Sequence, residues 1–522
     1  MLHQAFAIGA LHRNPNLHRD RLPPPPRTWY ELLRHPEREG FMRAAKVEYD
    51  ALNSKETFEV VSKKEASNII PLTWIFDYKF DHDGYLTRYK ARICVRGDLQ
   101  PMTEQDTYAA TVKMKIFRFI LALIAVYDLD TWHADVTNAF LNSLLDEVVY
   151  CKLPDGFSIP GMCIRLLRAL YGLRRAPRLW QEEFSSFLKT LGLRQVKEEL
   201  CLLTDDDGIF LLFYVDDILL LSRKDRSEKA AAVRAALLQR YEMKDLGELN
   251  WFLGIRVIRD RQQCKLWICQ DSYIEKITHK YNLQFRKHPS TPMSTDPLTP
   301  NTQQASPQQI LAYQGKTGSI NYATTQTRPD AARAASNLAE FATNPSQQHQ
   351  DAADQTILYL DGTRYYAIEF SASATSQEVT LAWPATTLGI ASDASFGNCS
   401  VTRRSTEGYL FKLFGGAIDW SSTKQKTVTT STTEAELLAL SHAATEALWW
   451  NRLFEDIGFK LDHELISTAT ISKPFVYLSK TYQLLSPSLN TSISVSIGFE
   501  NKSPITRSKS HGFQPTACPQ TA

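Results

Sequence analysis

Residues 209–222 read Ile-Phe-Leu-Leu-Phe-Tyr-Val-Asp-Asp-Ile-Leu-Leu-Leu-Ser, an apolar run interrupted by two adjacent carboxylates, Asp216 and Asp217. Burying an unpaired carboxylate is costly, so the pair needs solvent or a cation beside it. The flanks, Phe210 to Tyr214 and Ile218 to Leu221, are short, apolar and rich in strand formers. They predict a buried hairpin with Asp-Asp at its tip. A plain tight turn also accounts for two aspartates, since Asp is a common turn residue. The rest of the chain decides between these readings.

Upstream, His133-Ala-Asp-Val-Thr-Asn-Ala-Phe140 alternates as a strand and carries Asp135, 81 residues before Asp216. If the two strands are neighbours in one sheet, their carboxylates converge on one surface. Two divalent cations can then bridge them, one activating a 3′-hydroxyl and one neutralising a leaving pyrophosphate. Mg²⁺ suits such a site because it prefers carboxylates plus phosphate oxygens. Successive strand residues point to opposite faces, so Asp216 and Asp217 are not equivalent ligands, and Asp216 is expected to be the closer one.

At 522 residues the chain has room for two or three domains, each with its own core. Its 43% hydrophobic and 22% charged content is that of an ordinary globular protein. A net charge of only +2 means that a nucleic-acid partner must be met by a local basic surface. Eight scattered cysteines show no zinc-ligand spacing and predict free thiols. The longest apolar stretches, Ile116 to Tyr127 and Ile209 to Leu221, are too short or broken by charge to span a membrane. Residues 1–26, ending in the stiff Pro23 to Pro26 run, read as a mostly disordered leader without the order of a secretory signal.

The spacing of Leu32, Leu33, Phe41, Ala45, Tyr49 and Leu52 predicts helix between Trp29 and Val61. Thr73 to Phe80 and Thr87 to Val95 read as two basic strands around the turn Asp81-His-Asp-Gly84. Cys163 to Trp180 holds Arg165, Arg168, Arg174, Arg175 and Arg178, interleaved with Tyr171 and Trp180 and without an acidic residue. That makes it the best electropositive patch, the alternative being a solvated helix face. A helix is expected over Ser227 to Tyr241, strands around Trp251 to Arg259 and Lys265 to Cys269, a helix from Ser272, and a linker over Pro289 to Gln309. Ile310 to Leu360 reads as mainly helical, and a second α/β unit starts near Leu388, with three strands and the helix Thr433 to Phe454.

Eight ordered blocks carry a resemblance. They are RYKARICVRGDLQ (88–100), HADVTNAFLNS (133–143), ALYGLRRAPRLW (169–180), FYVDDILLLS (213–222), MKDLGELNWFLGI (243–255), STPM (290–293), TRPD (327–330) and STTEAELLAL (431–440). The chain resembles the reverse transcriptase and ribonuclease H region of copia-type (Pseudoviridae-like) retrotransposon polyproteins. The resemblance implies an α+β architecture, a right-hand polymerase followed by a ribonuclease H-like α/β domain. Its parts would be a reverse transcriptase over 27–288 (fingers to about 130, palm 131–222, then thumb), a linker and connection region over 289–387, a truncated ribonuclease H-like domain over 388–465 and a degenerate tail over 466–522.

By the same resemblance Asp135, Asp216 and Asp217 are the catalytic, metal-binding carboxylates, with Mg²⁺ or Mn²⁺ as cofactor. Phe140 would exclude a ribose 2′-hydroxyl, although a core Phe on a strand reads equally simply. Lys90 and Arg92 would meet the triphosphate, and Tyr171, Gly172, Arg174 and Arg175 would touch nucleic acid, with Arg174-Arg175 standing where many relatives have Lys-Gln. The implied partners are an RNA template, a DNA primer and deoxynucleoside triphosphates, with no membrane. The implied location is the cytoplasm, in virus-like particles, and the nucleus.

For hybrid cleavage the family uses four carboxylates and two metals. Asp393 matches the first and Glu436, better than Glu434, the second. Thr433-x-x-Glu436 is also a capping box, which gives Glu436 a purely structural reading. The last two expected aspartates are missing, since Asp462 is the final Asp and the sequence beyond Ile466 is rich in Ser and Thr. A frameshift is one account, because suitable codons for residues 482–493, read two nucleotides downstream, give SIALTKPKHIDI, similar to a family block. Two functions follow as alternatives: an RNA- and DNA-directed DNA polymerase with impaired ribonuclease H, or an inactive transposon relic that only binds nucleic acid.

Overall fold

The computed structural model describes residues 17–19, 21–80, 84–101, 107–371, 388–399 and 402–459, together with the backbone of 466–469 and 493–496. The first elements are α1 (Trp29–Leu32), α2 (Arg38–Ser54), β1 (Phe58–Ser62), β2 (Ile69–Ile70), β3 (Leu72–Phe80), β4 (Leu86–Val95), α3 (Met114–Tyr127) and β5 (Asp130–Val136). Next come β6 (Leu144–Cys151), β7 (Met162–Arg168), α4 (Ala176–Thr190), β8 (Arg194–Val196), β9 (Glu199–Thr204), β10 (Ile209–Tyr214), β11 (Asp217–Ser222) and α5 (Ser227–Arg240). Then follow β12 (Met243–Gly247), β13 (Trp251–Phe252), β14 (Ile255–Asp260), β15 (Lys265–Cys269), α6 (Asp271–Lys280), α7 (Pro307–Gln326), α8 (Ala332–Ala339), α9 (Gln347–Gly362) and β16 (Ile368–Ser371). The last are β17 (Gly389–Ser395), β18 (Thr406–Leu413), β19 (Gly416–Lys424), α10 (Thr432–Asp456), β20 (Ile466–Ala469) and β21 (Ile493–Ser496).

The chain divides into two compact units. One comprises residues 1–110, 136–192 and 241–243, the other 111–135, 193–240 and 244–522. In the first, a four-stranded sheet in the order β1-β7-β6-β2 accompanies the β3–β4 hairpin. Helix α2 buries Phe41, Ala45 and Leu52. Phe41 meets Phe76, Tyr78 and Tyr89 edge-on or tilted, within 5.5 Å between centroids, and an aromatic core grows from that contact. The helix expected as far as Val61 ends at Ser54, because Phe58-Glu-Val-Val61 has the β-branched content of a strand and pairs with β7. The end of the expected leader is fixed to this unit: Arg19 N donates to Gly84 O (2.9 Å), His35 Nε2 bonds Pro24 O (2.9 Å) and Pro26 is buried. Residues 1–16 and 81–83, the latter holding most of the expected turn, lie outside the described residues.

The second unit holds a six-stranded sheet in the order β12-β5-β11-β10-β9-β8, in which β10 and β11 are buried on both faces as central strands must be. A second sheet runs β13-β14-β15-β16. Helices α6 to α9 bury Ile277, Tyr313, Ile320, Leu338 and Ile357 in one core. The helical expectation for 310–360 therefore holds, and the segment is packed into the unit. A third sheet runs β19-β18-β17-β20-β21, its first three strands antiparallel and β20 parallel to β17 after α10. Backbone pairing thus continues past residue 465. Residues 470–492, which carry most of the stretch of the suggested frameshift, lie outside the described residues. Six described cysteines are free, whereas Cys264 is disulfide-bonded, contrary to the expectation of free thiols throughout. Among the described residues no helix is long and apolar enough to cross a membrane.

Candidate active site

The hairpin β10–β11 pairs Tyr214 with Asp217, so its two-residue turn is Val215-Asp216 and Asp217 opens the return strand. The tip is therefore shifted by one residue from the expected Asp-Asp. Val215 holds φ 57°, a left-handed conformation that is costly for a β-branched side chain. Such an outlier persists only where surrounding structure enforces it, and it concentrates at functional sites. Strand β11 runs antiparallel to β5 in a register that sets Asp217 directly opposite Asp135. Facing residues share a sheet face with Cβ atoms about 5 Å apart. The residue across from Asp135 is thus Asp217, and Asp216 sits beside the pair in the turn. All three are half-buried. Carboxylate oxygens in this arrangement suit a hard divalent cation. Among the described residues, however, no group of three or more His, Cys, Asp or Glu side chains closes around one metal position.

The substrate candidates lie in the first unit, where several form one stack. The Phe140 ring tilts against Tyr171 (centroids 4.6 Å), and the Arg92 guanidinium lies over the Tyr171 ring, 4.2 Å from its centroid. Lys90 is two residues from Arg92 on β4 and shares its face. Burial, then Arg92, Lys79 and Arg88, pull the Lys90 ammonium below its ordinary pKa. Glu48, from α2, accepts Ile93 N (3.4 Å); burial raises its pKa while Ile93, Arg92 and Lys90 oppose the rise. No local pattern marks Glu48, which reaches these cations only through helix packing.

The expected electropositive patch is not a free basic face. Cys163 to Trp180 is a strand, a loop and the start of α4, and each of its five arginines is engaged within the unit. Arg165 pairs with Glu59 (3.1 Å), and Arg168 donates to Lys55 O (3.0 Å) and Leu141 O (3.2 Å). Arg174 Nε donates to Gly97 O (2.8 Å), Arg175 pairs with Asp146, and Arg178 pairs with Glu182. Of the acids that balance them, Glu59 and Asp146 come from other segments and Glu182 from the next turn of α4, so the local run of like charge misled. Gly172 has a packing reason to be glycine: φ is +93°, and a Cβ would lie 2.1 Å from Val95 O.

On the third sheet, α10 packs over β17 and brings Glu436 to Asp393. Ser431, not Thr433, caps α10: its side chain accepts Glu434 N (3.1 Å), while Glu434 accepts Thr430 N (2.6 Å) and Thr430 Oγ1 (2.8 Å). Those bonds hold the Glu434 carboxyl below its ordinary pKa. Glu436 is released from capping and buried, and burial first, then the Asp393 charge, push it up to about 7, against a bond from the Ala394 backbone. Its Oε2 has no hydrogen-bond partner among the described residues.

The family model for reverse transcriptase (RNA-dependent DNA polymerase) matches residues 55–295, which include all three aspartates of the hairpin and β5. A putative transposon Ty5-1 protein of Saccharomyces cerevisiae is 30% identical over 319 residues, 60% of this chain and 99% of that protein. The chain belongs to the copia-type retrotransposon Pol polyproteins. A retrovirus-related Pol polyprotein from transposon TNT 1-94 of Nicotiana tabacum is 32% identical over 87% of this chain and 35% of its own length. One from transposon RE2 of Arabidopsis thaliana is 31% identical over 84% of this chain and 30% of its own length. This copia-type chain therefore spans about a third of those two relatives. It carries a reverse transcriptase domain, of a class that uses divalent metal ions, nucleic-acid templates and nucleotide substrates. Asp393 and Glu436 fall outside the matched segment.

Proposed function

We propose that this chain is a polymerase that copies RNA, and then DNA, from a primer 3′ end with deoxynucleoside triphosphates, using Asp135, Asp216 and Asp217. The observation that carries this reading is the register setting Asp217 opposite Asp135, with Asp216 in the adjoining turn. Mg²⁺ or Mn²⁺ held there supplies activation of the 3′-hydroxyl and neutralisation of the leaving pyrophosphate. The chain's own contribution is to keep the carboxylates together on a rigid sheet, with the strained Val215 turn fixing Asp216. Phe140, backed by Tyr171, fills the space of a ribose 2′-hydroxyl. Lys90 and Arg92 meet the triphosphate, whose charge relieves the repulsion among the cations of β3 and β4. Glycine and arginine at 172, 174 and 175 support this region more than they read nucleic acid.

In this reading the right-hand layout covers residues 27–288, and the order of the third sheet supports a ribonuclease H-like module from 388 onward. Asp393 and Glu436 are the two carboxylates left of its four, so hybrid cleavage is weak or absent. The setting is the cytoplasm, within virus-like particles, and the nucleus. Primer extension on a homopolymer RNA template with Mg²⁺ or Mn²⁺ tests the proposal, with labelled RNA/DNA hybrid as a parallel substrate. Expected are incorporation by the parent, none by Asp216→Asn, and little hybrid cleavage. Equal blanks with salt-sensitive template binding would leave the binding-relic reading instead, and strong cleavage lost in Asp393→Asn would overturn the impaired module.

A further inference from the structure

His133 lies two residues before Asp135 on β5, so both side chains leave the same face of the sheet. In the register His133 faces Leu219 while Asp135 faces Asp217, which makes His133 and Asp217 diagonal neighbours. The imidazole is only 7% exposed and rests edge-on against Phe252, with ring centroids 5.6 Å apart. Its Nε2 stands 3.4 Å from Asp217 Oδ1 and makes no hydrogen bond among the described residues. Leaving a buried ring nitrogen unpaired is costly, so an apolar residue would be the cheaper occupant if packing were its whole task.

We propose that His133 is a positioning residue, donating from Nε2 to Asp217 and holding that carboxylate toward Asp135 for a divalent cation. The inference rests on the polymerase reading and adds to it a residue outside the three aspartates. The 3.4 Å separation is longer than a formed bond, and a small rotation of the Asp217 side chain closes it. Phe252 packs edge-on against the ring and limits the room it has to turn. One Asp217 oxygen is then engaged and the other is left for the cation, which removes rotamers that would point the carboxylate elsewhere.

The test reads metal binding directly, by counting free Mn²⁺ with electron paramagnetic resonance as the full chain is titrated. Parent, His133→Leu, His133→Gln and Asp217→Asn are compared, each with its melting temperature. Leu keeps the packing on Phe252 and loses the donor; Gln keeps an N–H donor. Partners that orient a ligating carboxylate are worth about 10–100-fold in metal affinity, so His133→Leu is expected to bind Mn²⁺ at least about tenfold more weakly, and His133→Gln within about threefold of the parent. Parent-like Mn²⁺ affinity in His133→Leu overturns the inference. So does His133→Gln binding as weakly as Asp217→Asn while melting like the parent, which covers the case in which the Leu variant fails to fold. If the parent binds no more Mn²⁺ than Asp217→Asn, the metal-site reading itself falls, a result distinct from the others.

Discussion

Glu434 and Glu436 stand two residues apart on α10 and are held in opposite ways. Glu434 is exposed and occupied by Thr430, whereas Glu436 is buried against Asp393 with a pKa near 7. Raised from an ordinary 4.5, the Glu436 carboxyl keeps a proton in the folded protein that the unfolded chain has already lost. Stability therefore falls as pH rises from 4.5, and the penalty is complete above about 7. Glu436→Gln is expected to melt higher than the parent at pH 8 and close to it below pH 4.5, in thermal scans without divalent cation. An equal shift at both pH values would mean that the ionisation is not the cause. At the Asp135–Asp217 pair the residue-level ambiguity was different. Strand alternation showed that Asp216 and Asp217 differ, but only the hairpin register showed which one faces Asp135.

At the scale of elements, α3 is the most constrained helix of the second unit, buried from Ile116 to Val126 on every side. A helix apolar all round belongs in a core, yet this one carries Arg118. The guanidinium donates to Ile418 O (2.8 Å), Thr325 O (2.9 Å) and Gln326 O (2.9 Å) and lies 3.9 Å over the Trp420 ring. Burial pushes its pKa down to about 10, which leaves it charged at neutral pH. One turn earlier Lys115 reaches Glu446 (2.6 Å) and Asp419 (3.5 Å). Arg118→Ala would strand one buried and two part-buried carbonyls at about 1–3 kcal/mol each, so a loss of about 3 kcal/mol is expected. Urea unfolding checks it, and a midpoint within error of the parent would contradict the joint. The sequence showed the apolar stretch Ile116 to Tyr127 but not this anchor, whose acceptors lie some two to three hundred residues away.

At the scale of the molecule, α3 and the third sheet fold as parts of one unit. Phe119 meets Trp450, Phe454 and Phe459 within 5.7 Å between ring centroids, and Trp420 Nε1 donates to Thr324 O (2.9 Å). A chain ended after residue 371 would expose this apolar face of α3, with losses of about 3–5 kcal/mol for each buried aromatic removed. It is expected to lose cooperative unfolding and primer extension together. The full chain carrying Asp393→Asn is expected to keep both. Circular dichroism melts and extension assays compare the two, and a truncated chain that still extends primers would show the module to be dispensable.

The sequence by itself determined many of the strands, the major helices, the existence of the hairpin around Asp216-Asp217 and the family, because apolar alternation and short motifs are local properties. The same-face placement of His133 and Asp135 was equally available from their spacing of two, and only the buried, unpaired Nε2 gave it meaning. The tertiary structure alone decided which aspartate faces Asp135, that Ser431 rather than Thr433 caps α10, and that five arginines are consumed internally. It also brought Glu48 to Lys90 and Arg92. Apart from the local Ser431 cap and the Arg178–Glu182 pair, these outcomes depend on groups brought together from distant segments. Desolvation and charge pairing act through space, and a linear pattern of residues records neither distance nor burial.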